Sequence, residues 1–159
     1  MNFNIDINKV TPIMEYQGED EEDTALIRRM EETAYTYLMS FTWCKKICES
    51  YVGIGIGGVI GVFLYRIEPS RGDIDEWLWI VAGDLPPAYI TTERARTPAA
   101  ALDAYIGEME EWVAAAREGR DVSALIPVNA EPNRENAVLL DRRLRFLDRE
   151  VLSYLREDL

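Results

Sequence analysis

Gly53-Ile54-Gly55-Ile56-Gly57-Gly58 has the G-x-G-x-x-G spacing of a dinucleotide-binding loop. That chemistry needs a strand before the glycines and a helix after them, because the helix N-terminus holds the pyrophosphate. The apolar spacing here predicts the reverse order, so the glycines are expected to allow close backbone approach or a bulge. Asp73, Asp75, Glu76 and Asp84 flank one apolar segment, and paired carboxylates can act as acid and base or hold Mg²⁺ or Ca²⁺. Asp73 to Glu76 lacks the alternating pattern of a calcium loop, and a whole strand separates it from Asp84. Solvation of a turn and of two strand ends accounts for all four. Cys44 and Cys48 fall at an i,i+4 spacing in what reads as a helix, where Cβ atoms stand about 5–6 Å apart. A disulfide needs about 3.5–4.5 Å, so free thiols packed in a core are expected. Histidine is absent. That removes Ser-His-Asp and Cys-His triads, histidine-containing zinc and iron sites, and imidazole acid–base catalysis. No catalytic residue, metal ligand or cofactor is assigned.

The remaining candidates are aromatic. Trp77, Trp79, Tyr89, Tyr105 and Trp112 suit a pocket or an interface, where Trp and Tyr are enriched, although strand and helix periods place such residues in cores as well. Gly83-Asp84-Leu85-Pro86-Pro87-Ala88-Tyr89 reads as a proline-fixed loop carrying an acid and an aromatic ring. A strand terminator explains the same residues. Asp84, Pro86, Pro87, Tyr89 and Trp77 are the expected binding residues.

The chain that must position them has 159 residues, 48% of them apolar, enough for one domain with a sizeable core. Seventeen basic and 29 acidic side chains leave a net charge of −12. Such a balance argues against binding a nucleic acid backbone or an anionic membrane surface. Met1 to Thr24 carries −6 and Pro98 to Asn133 carries −5, while Asn133 to Leu159 balances six acids against six bases. With one basic residue and no long apolar run, the first 24 residues are unlike a signal peptide. Tyr51 to Tyr65 is uncharged but shorter than the roughly 20 residues of a spanning helix. Free thiols and the absence of these signals fit a cytoplasmic protein.

Ile27, Met30, Ala34, Tyr37, Leu38, Phe41, Cys44 and Cys48 recur at helical steps and predict a first helix over 25–48, capped by Asp23 or Thr24. Weaker helix formers at Ser40 to Trp43 mark a possible break. Strict alternation follows over 59–67 and again over 74–82, with both faces of the second strand apolar and therefore covered. Ala88 to Thr92 suits a third strand, and the prolines before it suit an edge. Thr97, Pro98 and Gly119 punctuate a second helix, and Leu140, Leu144, Leu147, Val151 and Leu155 stripe a third over 134–156. The order α-β-β-(β)-α-α predicts a single α+β domain over 1–159. It has a small antiparallel sheet of two to three strands packed by three main helices, with residues 1–23 as an acidic N-terminal arm.

Trp43-Cys44-Lys45-Lys46-Ile47, the run from Trp79 to Tyr89, Ala101-Leu102-Asp103-Ala104-Tyr105 and Met109-Glu110-Glu111-Trp112 together resemble a family of small uncharacterised bacterial proteins, over roughly Ser40 to Tyr154. The resemblance implies a bacterial cytosolic setting and carries no activity. In size, acidity and layout the chain is also similar, in class and not in motif, to immunity proteins that neutralise toxins. Catalysis would have to rest on carboxylates, Lys, Ser or Tyr alone, so the expected function is binding. The expectation is a soluble protein that neutralises or regulates a basic protein partner, such as a toxin or nuclease, through an acidic face. The alternatives are a small-ligand-binding or oligomeric scaffold protein, including a homodimer through the 134–156 helix, and a carboxylate-based enzyme.

Overall fold

Capping chemistry sets the limits of the three α-helices found in residues 5–159, the part of the chain that the computed structural model describes. α1 (Glu21–Met39) starts where the Asp20 side chain accepts the Asp23 N–H at 2.7 Å. The expected caps, Asp23 and Thr24, lie in or just beyond its first turn, where Glu21, Glu22 and Asp23 meet the positive end of the helix dipole. Asp23 braces the neighbouring loops instead, its carboxylate accepting the Gly57 N–H at 2.8 Å and the Glu19 N–H at 2.9 Å. The helix stops at Met39, where the weak helix formers begin, and not at 48. α2 (Pro98–Glu118) has the expected punctuation: Thr97 accepts the Ala100 N–H at 3.0 Å, and Gly119 closes the helix at φ 69°. α3 (Arg134–Glu150) is capped by Asn133. Val151 (φ −121°, ψ −63°) interrupts the helix that was expected to reach 156, and a 3-10 helix over Leu152–Asp158 follows.

Five strands, β1 (Thr11–Pro12), β2 (Cys44–Ile56), β3 (Ile60–Pro69), β4 (Trp77–Gly83) and β5 (Leu85–Thr91), form one antiparallel sheet in sequence order. The expectation of two to three strands is corrected chiefly by β2. Its first residues, Cys44 to Cys48, were expected to end a helix. Register shifts between Cys44 and Lys46, Ile47 and Glu49, and Val52 and Ile54 break its alternation, which is why no period of two is visible there. Cys44 is buried and Cys48 exposed, both as free thiols.

β3 and β4 divide their side chains as their alternation predicts. Phe63, Tyr65, Ile67, Leu78, Ile80 and Ala82 pack beneath Ile27, Met30, Ala34 and Leu38 of α1. On the opposite face Val62, Leu64, Trp79 and Val81 meet Leu102, Tyr105, Ile106, Met109 and Trp112 of α2, with Leu140, Leu144 and Leu147 of α3 completing the core. The buried Trp79 indole donates to the Ala95 carbonyl at 2.9 Å, satisfying its N–H. Residues expected as an acidic arm join this packing over their described part. Ile5 and Val10 are buried, β1 pairs with Tyr51 and Val52, and the Asp6 N–H donates to the Arg96 carbonyl at 2.9 Å. Residues 1–4 lie outside the described residues.

Two glycines permit the close approaches that set the working end of the sheet. A Cβ at Gly53 would lie 2.4 Å from Pro98 Cγ, so glycine lets the start of α2 rest on β2. Gly83 has φ 145°, and a Cβ there would lie 2.3 Å from the Val59 carbonyl oxygen. Asp84 N–H donates to that oxygen at 3.1 Å, locking the β4–β5 turn to the β2–β3 turn. The uncharged run from Tyr51 to Tyr65 is thus a hairpin, and no helix among the described residues is long and apolar enough to cross a membrane.

Candidate functional site

The expected recognition loop is an edge strand. Gly83 turns the chain and residues 85–91 form β5, whose outer edge has no neighbouring strand among the described residues. The two prolines withhold N–H donors there, which protects an edge from unwanted pairing. Tyr105, buried in α2, donates its hydroxyl to the Pro86 carbonyl at 2.5 Å and so ties the strand to the core. Burial raises that hydroxyl's pKa well above the ordinary tyrosine range, keeping it a donor.

The five expected binding residues do not form one site. Asp84 lies at the β4–β5 turn, mostly exposed, with its carboxylate 3.2 Å from Arg143 Nε. Pro86 and Pro87 are half-buried on β5. Tyr89 projects on the α1 side of the sheet. Trp77 starts β4, seven residues from Asp84, and at about 3.3 Å per residue the two are roughly 20 Å apart. It packs on the α2 side, its ring centroid 6.1 Å from that of Tyr51. Nearby, Arg66 bridges Glu49 and, at 3.3 Å, Glu76. The Arg66 hydrogen bond, then that of Tyr51, holds the Glu49 carboxyl below its usual range.

Tyr89 belongs instead to an aromatic group that the sequence reading did not assemble. Its ring meets Phe41 edge-on at 5.5 Å and Trp43 at 5.6 Å, and Phe41 stacks on Trp43 at 4.8 Å. Tyr37 meets Phe41 edge-on at 5.1 Å, and burial, with Tyr89 adding, pushes its hydroxyl up to about 12. These residues come from the end of α1, the connection into β2, and β5. Aromatics at 37, 41 and 43, just where helix propensity fails, are the signal that could have found the group. Tyr89 nonetheless stays 41% exposed, and beside it lies a groove of about 320 Å³ walled by Trp43, Ile74, Leu78 and Tyr89. Its rim carries Arg71, Asp73 and Asp75, all exposed. Arg71 pairs with Asp73 at 3.4 Å, whereas Asp75 has no ion pair among the described residues. The groove therefore joins aromatic faces to surplus negative charge.

The other carboxylates are dispersed, Glu76 held by Arg66 and Asp84 by Arg143. No group of three His, Cys, Asp or Glu side chains among the described residues could hold a metal ion. Burial raises the Cys44 thiol, and its Sγ lies 3.8 Å from Met39 Sδ. The G-x-G-x-x-G glycines occupy the end of β2 and its turn into β3: a strand and not the expected helix precedes them, and a strand follows where a dinucleotide loop needs a helix N-terminus.

A second groove lies along α3, at the end of the sheet where Gly58, Val59 and Asp84 turn the chain. It measures about 430 Å³ and continues, past Leu85 and Leu139, into a further 240 Å³ beside Pro86 and Trp112. Leu139 and Phe146 remain 45% and 42% exposed on its wall. Comparison of the chain with known protein families, curated proteins and solved structures returned no match to any of them.

Proposed function

We propose that this chain is a non-enzymatic, immunity-like binding protein that neutralises or regulates a basic protein partner, docking it over the Trp43–Tyr89 groove. The observation that carries the reading is the partly exposed cluster of Phe41, Trp43 and Tyr89 beside an unpaired Asp75. A lysine or arginine laid over such rings gains a cation–π contact while its charge meets a carboxylate. Aromatic anchors of this kind supply most of the energy of protein interfaces. The net charge of −12 repels itself within the chain, yet it accelerates encounter with a positive surface such as a nuclease groove.

Capture from the source cell, with partners identified by mass spectrometry, tests this reading at about 50 mM and about 500 mM salt, since screening acts on exposed charge pairs. A basic partner is expected whose recovery falls with salt and is lost with Tyr89→Ala and with Asp75→Lys. Equal recovery by these folded variants, or a small molecule in the groove and no protein partner, overturns it.

A further inference from the structure

We infer that the groove along α3 is a second binding site, for an acidic peptide segment carrying two apolar anchors. It stands apart from the Trp43–Tyr89 groove. Leu85 lines one and Tyr89 the other, about 13 Å of strand between them.

The shape of the site follows from helix geometry. Leu139 and Phe146 are two turns apart on one face of α3, about 10 Å along its axis. Both are large, apolar and nearly half exposed, and Val59 and Leu85 form the facing wall. Two apolar side chains at i and i+3 of a peptide in the polyproline-II conformation share one face and span about 9 Å, nearly the same distance. Between Leu139 and Phe146 stand Arg142 and Arg143. Arg143 is shared with Asp84 at 3.2 Å, and Arg142 makes no ion pair with any described residue. The charged residues lining the groove, Asp84, Arg142 and Arg143, therefore sum to +1 on a chain of −12. Apolar anchors set around an uncommitted arginine call for a ligand with carboxylates beside its apolar groups.

A second copy of this chain fits poorly. Two α3 helices related by a two-fold axis through the centre of this face would set Leu139 against Phe146 of the copy. They would also set Arg142 against Arg143 and Glu135 against Glu150, like charge on like.

The test uses the whole chain, ¹⁵N-labelled, and the octapeptide Asp-Glu-Leu-Glu-Asp-Phe-Glu-Asp, with its lysine-for-acid counterpart as control. Saturable amide shifts at Val59, Leu85, Leu139 and Phe146 are expected with the acidic peptide alone. Arg142→Glu, at an exposed position, should weaken binding by about fivefold, the upper range for an exposed charge pair. Asp84→Asn should strengthen binding by releasing Arg143, whereas a merely apolar surface would respond to neither change. Equal binding of the lysine peptide, shifts confined to other surfaces, or indifference to both variants overturns the inference. So does a dimer in sedimentation that Leu139→Ser abolishes. Because Tyr89→Ala leaves this groove intact, its effect on basic-partner capture reports on the other site separately.

Discussion

Gly53→Ala is the sharpest test of whether the glycine run serves packing. Gly53 does not have a positive φ, so alanine is allowed there and gains slightly in strand propensity. The cost comes from Pro98. An added Cβ lies 2.4 Å from Pro98 Cγ and 2.6 Å from Pro98 Cβ, about 1 Å inside ordinary carbon–carbon contact. A proline ring cannot rotate away, and both backbones are held. α2 is anchored by the buried Leu102 and Tyr105, and β2 is paired to β3 through Ile54 and Val62. Relieving the clash by moving a packed element costs about 1–3 kcal/mol. At about 2 kcal/mol, a chain of 159 residues loses roughly 4–8 °C in Tm. Pro98→Gly removes both clashing atoms at its own cost of about 1–2 kcal/mol, from helix propensity and unfolded-chain freedom. In the double variant the Gly53→Ala cost should nearly vanish, a coupling of at least about 1 kcal/mol. Urea denaturation of the four proteins, followed by far-UV circular dichroism, measures it. A stable Gly53→Ala protein, or a cost that Pro98→Gly leaves unchanged, refutes the packing argument. Gly58→Ala provides the contrast. Nothing lies within 4 Å of that Cβ, but φ is 76°, so about 1–2 kcal/mol of backbone strain should appear whatever occupies position 98.

Tyr105→Phe removes the hydroxyl that holds the Pro86 carbonyl and should cost about 1–2 kcal/mol in urea denaturation, with faster amide exchange along β5. Tyr89→Ala deletes a partly exposed ring with two ring neighbours; about 1 kcal/mol of stability should go, measured by thermal melting, while the fold stays intact. Burial, then Glu32, raises the Glu31 carboxyl, so its ionised form disfavours the folded state at neutral pH. Glu31→Gln should therefore raise Tm near pH 7, an advantage that disappears as acid protonates the native glutamate. Glu49 has the opposite sign. Arg66 and Tyr51 lower its folded pKa, so its contribution is present above the ordinary carboxylate range and fades as pH falls through the folded value. Glu49→Gln should lower Tm at neutral pH and flatten the acid limb of a Tm-against-pH profile.

The elements legible in the sequence are those whose local chemistry agrees with their tertiary setting. Thr97, Pro98 and Gly119 cap α2 in isolation as they do in the fold, and β3 and β4 pair without a bulge, so their alternation survives. β2 was hidden because its three register shifts move the apolar side chains out of phase. Phe41, Cys44 and Cys48 then continue the helical spacing of α1 by coincidence. Only the weaker helix formers from Ser40 to Trp43 argued against it, and helix propensity is a weak prior beside eight periodic positions. β1 is two residues long and owes its pairing to β2, so it has no local signal.

Of the candidate site, Tyr89 was visible as a ring on a proline-marked edge, but its neighbours Phe41 and Trp43 are nearly fifty residues away in sequence. Folding brings them together by running α1 across the sheet to its β5 side. Trp77 misled for a related reason: a strand carries its two ends far apart, whereas residues near both ends of the same segment read as one cluster.

The α3 groove shows most clearly what a charge count conceals. Residues 133–159 hold six acids and six bases, a balance that reads as a solvated face. On a helix turning about 100° per residue, however, Arg142 and Arg143 lie within about 60° of Leu139, while Asp141 and Asp148 lie about 180–200° away. Asp141 meets Arg117 of α2 at 4.0 Å and Arg145 of its own helix at 3.0 Å, and Asp148 lines a cavity with Asp103 of α2. The helix thus turns Asp141 and Asp148 toward α2 and leaves Arg142 and Arg143 on the face of Leu139 and Phe146, with Glu135 and Glu150 at the two ends of that face. Arg142 and Arg143 fall beside the two apolar residues, Leu139 and Phe146, that the core stripe of Leu140, Leu144 and Leu147 leaves out.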